Sequence, residues 1–297
     1  MKIFLIGASG SIGWPLFKFL KKKYKVVGTY NNKKKRGLLK FSLGKKKYEN
    51  KLISQVSQND IVMLLLAETN VAWVHDNPRK SFNVNYNLTT ELIKKLIKKK
   101  TRIIYFSSAE VFNGKKGYYK ESSKPIPVNT YGKTKYSVEK FLKKTNYKNY
   151  QIIRTGRNVN MSDDYRCMIK DTYERLLRNN AKMAKDNLFT ITHMNDFNKA
   201  IHKLIKSKSQ QIIYHICSDE VLSRVKFASL IKKNSKKKNK MNYRIVKFKD
   251  VGYKEPRACK NNLTCDLTKK TLKISFTKAD KIIKEKVRIL DLINNAR

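Results

Sequence analysis

The chain has 297 residues, of which 40% are hydrophobic, enough for one large α/β unit or two lobes with a substantial core. No stretch approaches the roughly 20 consecutive apolar residues of a membrane span, so membrane insertion is excluded as a role. The net charge of +46 sits in short lysine runs along the whole chain (Lys21–Lys23, Lys45–Lys47, Lys98–Lys100, Lys236–Lys238) with no recognised binding motif beside them. Specific nucleic-acid binding is therefore not expected, whereas a field that favours an anionic substrate is. The cysteines, Cys167, Cys217, Cys259 and Cys265, form no C-x-x-C pair, and the four histidines are scattered. A reducing, cytoplasmic setting without a metal site follows as the expectation.

In chain order, Lys2 to Ile6 reads as a strand apolar on both faces, the pattern of a parallel sheet covered on two sides. Reading this run as a signal segment fails, because cleavage would discard the glycine turn that follows. Gly7, Gly10 and Gly13 come next at three-residue spacing, and a helical pattern opens behind them through Ile12, Leu16, Phe17 and Leu20. Strand, glycine turn and helix are the context of a phosphate cradle. There, backbone N–H groups approach a pyrophosphate that the helix N-terminus favours. The candidate cradle is Gly7, Gly10, Ser11, Ile12 and Gly13, although the commoner fingerprint is Gly-x-Gly-x-x-Gly.

Tyr24 to Tyr30 reads as the second strand. About 20 residues past the glycines a dinucleotide site usually carries an acid for the adenosine ribose. Here Tyr30 is followed by Asn31, Asn32, Lys33, Lys34, Lys35 and Arg36, a cationic run that would pair with a 2′-phosphate. NADP(H) is the expected cofactor and NAD(H) the alternative, with Asn31 and Arg36 as candidate contacts. Ile61 to Ala67 reads as a buried strand, Ser81 to Lys98 as one helix, and Arg102 to Phe106 as another strand ending in Ser107 and Ser108. This alternation predicts an α/β fold, a Rossmann-type doubly wound parallel sheet with ligand chemistry at the strand C-terminal ends.

Tyr131 and Lys135 stand four apart at the start of a further helix and share one face. An ammonium beside a phenol is expected to favour the phenolate, so that the phenol can exchange a proton with a substrate oxygen. A hydroxyl at a strand end, such as that of Ser108, can hold that oxygen. Beyond Arg154 the alternation weakens, which divides the chain into a dinucleotide domain, 1–154, and a smaller C-terminal substrate lobe, 155–297, with some strands returning to the sheet.

The segments GASGSIG, FSSAEVFNG and YGKTK together resemble the extended short-chain dehydrogenase/reductase superfamily, whose members act mainly on nucleotide sugars. The segments from Ile191 to Phe197, Ile212 to Lys233 and Glu255 to Lys270 are similar to the dTDP-4-dehydrorhamnose reductase family, over nearly the whole chain. The resemblance implies catalytic positions at Ser108, Tyr131 and Lys135, with Lys135 also on the nicotinamide ribose. It implies a nicotinamide-side segment at Leu66, Ala67 and Thr69. It also implies NADPH-dependent reduction of a 4-keto-6-deoxy nucleotide sugar, an anionic partner.

This chain departs from the family around the sugar. Ala109 and Glu110 replace an Asp-Tyr pair, Arg157 replaces an aromatic residue, and Ala72 and His75 replace paired acids. Arg257 matches a family arginine, but Ala258 follows it in place of proline. Glu110, Arg157 and Arg257 are candidate substrate contacts, Glu110 being either that, an auxiliary acid or base, or a solvated turn carboxylate. Epimerases and 4,6-dehydratases of the superfamily typically hold NAD with an acid after the second strand, which is absent at Tyr30. A non-catalytic regulatory subunit would have no need of the intact Ser–Tyr–Lys set. The apolar stripe of the helices beside Tyr131 serves either as core or as a homodimer face, and Lys232 to Lys240 reads as a surface loop.

Overall fold

The computed structural model describes residues 1–162, 165 and 167–295. Chain order begins β1 (Ile3–Ile6), α1 (Gly13–Lys21), β2 (Val26–Tyr30), β3 (Leu38–Lys40), α2 (Lys46–Ile53) and β4 (Ile61–Leu64). It continues α3 (Val71–Asp76), α4 (Pro78–Phe82), α5 (Thr89–Lys98), β5 (Arg102–Phe106), α6 (Thr130–Lys144) and β6 (Tyr150–Thr155). Then come β7 (Arg157–Val159), α7 (Met168–Leu177), β8 (Ala181–Ala184), β9 (Leu188–His193), α8 (Met194–Lys206) and β10 (Ile213–Ile216). The last elements are β11 (Val221–Ser223), α9 (Arg224–Asn234), β12 (Tyr243–Val246), α10 (Asp266–Leu272) and α11 (Ala279–Asn295).

Two compact units divide the chain. The first holds Met1–Phe112, Lys124–Arg154 and Ile205–Tyr214; the second holds Asn113–Ser123, Thr155–Leu204 and the residues from His215 onward. A seven-stranded sheet runs β10-β6-β5-β4-β1-β2-β3. Its neighbours β1–β2, β1–β4, β2–β3, β4–β5 and β5–β6 all pair in parallel. Apart from β2 and β3, which the loop 31–37 joins, consecutive strands of this sheet are separated by a helix that crosses over before the next strand. β1 and β4 are wholly buried, which is why they read as unbroken apolar runs. Strand order reverses between β1 and β4, so the crevice for a ligand opens beyond the C-terminal ends of those strands.

Several element boundaries differ from the sequence expectation, each for a local reason. The second strand starts at Val26, not Tyr24, because the N–H groups of Lys23 and Tyr24 both close onto Leu20 O to finish α1. The expected helix from Ser81 to Lys98 is divided by a π-helical turn, Asn83–Leu88, where the Thr89 hydroxyl donates to Val84 O at 2.9 Å. Within Ile191–Phe197, β9 passes directly into α8. The loop expected over Lys232–Lys240 is the end of α9 followed by a 3₁₀ turn, Lys238–Lys240. It is fixed by buried Asp291, which accepts from Ser235 Oγ at 2.9 Å and from Lys236 N at 2.8 Å.

The second unit carries a three-stranded sheet, β11-β9-β7, and a two-stranded one, β12-β8. Its core gathers Phe189, Ile191, Phe227, Ile231, Ile282 and Val287, with α7, α9 and α11 supplying the apolar faces. Among the described residues no helix is long and apolar enough to cross a membrane.

Candidate active site

The glycine turn fits a dinucleotide phosphate on three counts. Gly7 has φ +92°, a left-handed conformation that favours glycine. A Cβ on Gly13 would lie 2.3 Å from Gly7 O, so only glycine lets α1 start this close to β1. Ile12, the residue before α1, offers no side-chain cap, and because Trp14 N closes onto Gly10 O at 2.9 Å and Pro15 has no N–H, it is Gly13 N–H that the helix start holds toward a phosphate. The turn is braced from β2, where Thr29 Oγ1 accepts from Gly7 N at 3.1 Å. Asn31 and Arg36 are exposed past the end of β2. Beside them stand Lys35, already part of the cationic run, and Lys40, which sequence reasoning missed. Lys35 Nζ sits 4.8 Å over the Trp14 ring, and Lys40, whose ammonium donates to Asn31 O, lies 5.4 Å over the Tyr30 ring. Strand β3, too short to read from its sequence, is what brings Lys40 there.

The segment after β4 holds Leu66, Ala67 and Thr69. Leu66 N lies beside Gly7, and Glu68 is clamped by the buried Asn85 from the π-helical turn. Asn85 Oδ1 accepts from Glu68 N at 2.8 Å, while its Nδ2 donates to Glu68 O at 3.0 Å and to Thr134 Oγ1 of α6 at 3.3 Å. A lone asparagine on the buried face of an amphipathic helix was the available signal for it.

Ser108 lies two residues past the end of β5, and its Oγ caps a 3₁₀ turn, Ala109–Val111, by accepting from Glu110 N at 3.2 Å. Tyr131 lies in the first turn of α6, which Asn129 caps by accepting from Gly132 N at 2.7 Å. The other end of the Asn129 amide donates to Glu110 Oε2 at 2.7 Å. Helix and turn meet without a gap, since a Cβ on Gly132 would come 2.0 Å from Glu110 O. So Ser108, Glu110, Tyr131 and Lys135 lie together in the first unit. Arg157 and Arg257 belong to the second.

Electrostatics around Tyr131 correct the expectation drawn from its spacing. The phenol is only 8% exposed, and burial raises its pKa; the nearby Glu110 carboxylate raises it further, and a hydrogen bond with Ser108 pulls it back. Lys135, 4% exposed, does not act as the phenol's dominant partner. Its Nζ donates to Phe106 O at 2.7 Å and lies 4.8 Å over the Tyr105 ring. Burial pulls Lys135 down to about 7, while the Glu139 carboxylate one turn on raises it. Glu139, also missed from the sequence, is fully buried in a bidentate pair with Arg154 (Nε–Oε1 3.0 Å, Nη2–Oε2 2.6 Å) and accepts from Ser107 Oγ at 2.6 Å. This arrangement presents a neutral, protonated phenol beside a hydroxyl. That pair is suited to donating a proton to a developing alkoxide.

A doubly wound sheet with this glycine turn and a Ser–Tyr–Lys set defines the short-chain dehydrogenase/reductase class of NAD(P)-dependent oxidoreductases. Within that class, the family model described as the RmlD substrate binding domain matches residues 1–291, and the chain belongs to that family. Solved structures agree in fold. A dTDP-4-dehydrorhamnose reductase from Clostridium acetobutylicum superposes with TM-score 0.84 at 22% identity, covering 98% of this chain and 99% of that one. One from Bacillus anthracis, in complex with NADP, gives 0.81 at 20%, covering 97% and 99%. A UDP-glucuronic acid 4-epimerase mutant from Bacillus cereus, bound to UDP-4-deoxy-4-fluoro-glucuronic acid and NAD, gives 0.81 at 17%, covering 99% and 100%. No curated protein matches the chain in sequence.

Proposed function

We propose that the protein reduces a 4-keto-6-deoxy nucleotide sugar using NADPH. The observation that carries this reading is the buried Tyr131 phenol beside Ser108, just past the C-terminal end of β5, with Lys135 one turn behind it and burial raising the phenol's pKa so that it keeps its proton. Gly7, Gly10, Ser11, Ile12 and Gly13 would hold the cofactor's phosphates, Leu66, Ala67 and Thr69 its nicotinamide side, and Lys135 the nicotinamide ribose. Asn31 and Arg36, joined by Lys35 and Lys40, would receive a 2′-phosphate; no carboxylate follows β2 to repel it. That favours NADP(H) over NAD(H). When bound, the cofactor supplies the hydride for C4.

The chain's own part is the proton. Ser108 orients the carbonyl oxygen, and Tyr131 donates its hydroxyl proton as charge develops on that oxygen. Because burial holds the phenol protonated, the donor form is the resting form. The lysine's role is to accept or supply charge behind it. Glu110, held by Asn129 and electrostatically coupled to Tyr131, is placed to contact the sugar or to raise the phenol further. Arg157 and Arg257 are proposed as contacts for the anionic part of the substrate.

The test is absorbance of the reduced cofactor, with NADPH or NADH and a 4-keto-6-deoxy nucleotide sugar. Stoichiometric loss of NADPH, faster than of NADH, is expected. Tyr131→Phe should lower the rate by roughly 10²–10⁴-fold with NADPH affinity unchanged. Sugar conversion without cofactor loss would point to epimerisation or dehydration, and full activity of the variant would remove Tyr131 as donor.

A further inference from the structure

We infer that the turn after α9, with strands β12 and β8, forms a basic face of the second unit that docks on an anionic lipid surface. Glu220 and Asp250 are consecutive acids in the sequence, and between them stand nine lysines, two arginines and no carboxylate. All of that stretch belongs to the second unit. Strand register sets part of the charge side by side. β12 pairs with β8 in parallel, with Arg244 opposite Lys182, and residues paired in register share a face of the sheet. Both side chains are exposed. The pairing continues at Lys185, whose N–H donates to Val246 O at 3.0 Å, which brings Lys185 beside Lys247. Lys238 and Lys240 stand exposed on the 3₁₀ turn that leads towards β12.

The chain's own acids do not neutralise this charge. Asp291 reaches the turn but is taken up by Ser235 Oγ and Lys236 N, and Asp186 reaches the end of β12 but accepts from Phe248 N at 2.7 Å. Among the described residues no carboxylate pairs with Lys182, Lys185, Lys238, Lys240, Arg244 or Lys247. Like charges side by side repel, and an anionic surface laid against them would relieve that. What stands between the charges selects the anion. The stretch uses lysine, a compact hydrated charge, far more than the planar arginine fork that pairs phosphates bidentately. Its rings beyond α9, Tyr243 and Phe248, are half-buried, so a nucleic acid would find no stacking platform. The large apolar side chain that stands out is Ile245, 60% exposed. Alternation puts it on the face opposite Arg244, at the outer edge of the strand pair, so a surface approaching that edge meets both. Spread lysine charge around one aliphatic side chain suits the headgroup layer of a bilayer, where basic residues are attracted and isoleucine enters the acyl boundary. No residue proposed for the cofactor or the substrate takes part.

The test is co-sedimentation of the full chain with vesicles of phosphatidylcholine, with and without phosphatidylglycerol, at low and at high salt. Binding is expected to the anionic vesicles only, and should weaken as salt screens the charge. Reversing four charges on the face (Lys182→Glu, Lys238→Glu, Arg244→Glu and Lys247→Glu together) should lower partitioning by about 100-fold or more, since each basic residue near such a surface contributes roughly fivefold. The control reverses four exposed lysines of the first unit (Lys22→Glu, Lys46→Glu, Lys98→Glu and Lys144→Glu), reaches the same net charge, and should stay within about threefold of wild type. Glutamine in place of glutamate serves wherever a reversal lowers the melting temperature. Ile245→Ser should lower partitioning by about threefold to tenfold at unchanged salt dependence. No binding by the wild type, equal losses in the face and control variants, or unchanged partitioning of Ile245→Ser would each overturn the proposal. A single-stranded oligonucleotide that binds through these residues more tightly than the vesicles do would make the partner a nucleic acid and overturn the lipid reading. None of these measurements involves turnover, so the proposed reaction and the docking face stand or fall separately.

Discussion

Arg154 and Arg224, one in each unit, meet opposite surroundings. Arg154 is fully buried, yet its fork closes on both oxygens of Glu139, its carbon lies 5.1 Å over the Phe112 ring, and Ser107 takes up a further acceptor position. Arg224 is less deeply set and, among the described residues, its side-chain acceptors are an amide and a thioether. A satisfied pair organises the wall that carries Ser108 and Lys135. Arg224, held by neutral acceptors and the Phe189 ring, keeps a charge at a desolvation cost that the Arg154–Glu139 pair offsets on its own side. Position relative to solvent therefore says less about a charged group than the identity of the atoms it touches.

The contrast breaks most sharply in stability. Glu139→Leu leaves Arg154 uncompensated and should cost about 3–5 kcal/mol in urea unfolding, whereas Arg224→Met, which removes a charge that no carboxylate among the described residues pairs with, should stay within about 1 kcal/mol of wild type. Equal losses would make Arg224 a structural arginine after all. Smaller is the effect of Gly132→Ala, whose Cβ would press on Glu110 O and on the Pro127 side chain. About 1–3 kcal/mol of destabilisation, together with a slower reduction rate, is expected as α6 shifts Tyr131 from the 3₁₀ turn.

The gentlest test concerns pH. Lys135 holds its proton more weakly when folded, at about 7 against 10.5, so between those values the unfolded chain binds the extra proton. Stability should rise with pH across that window, by at most about 1.4 kcal/mol per pH unit. Above about pH 10 the raised phenol of Tyr131 acts in the opposite sense, so the comparison belongs between pH 7 and 9.5. Subtracting the profile of Lys135→Met from that of the wild type isolates the slope; a flat difference would mean that Lys135 keeps its charge in the cofactor-free protein.

Legibility followed how local each feature is. β1, β5 and the glycine turn are contiguous and buried on both faces, so apolar runs and glycine spacing announced them. Ser108, Tyr131 and Lys135 could be read because each marks a strand end or a helix start. Glu139 escaped, since a glutamate one turn beyond a lysine looks like any solvated helix position until Arg154 arrives from β6. Asn85 escaped because its partners, Glu68 and Thr134, lie 17 and 49 residues away. The direction of the phenol's shift was misjudged for the same reason: spacing puts Lys135 on the face of Tyr131, but Phe106 O and the Tyr105 ring claim the ammonium. In the second unit, where strands are three to six residues long and pair across distant segments, little beyond single landmarks could be anticipated.

The wide turn at Asn83–Leu88 amounts to one residue inserted into an otherwise regular helix. Deleting a residue there would restore ordinary pitch and swing Asn85 by about 100° off its grip on Glu68, while leaving the composition of the helix almost intact. The loop after β4 and the helix bearing the proton donor would then lose their shared anchor. Length at this spot is thus under tighter constraint than chemistry, and homologous chains that differ by a single gap in this helix would be expected to hold that loop differently.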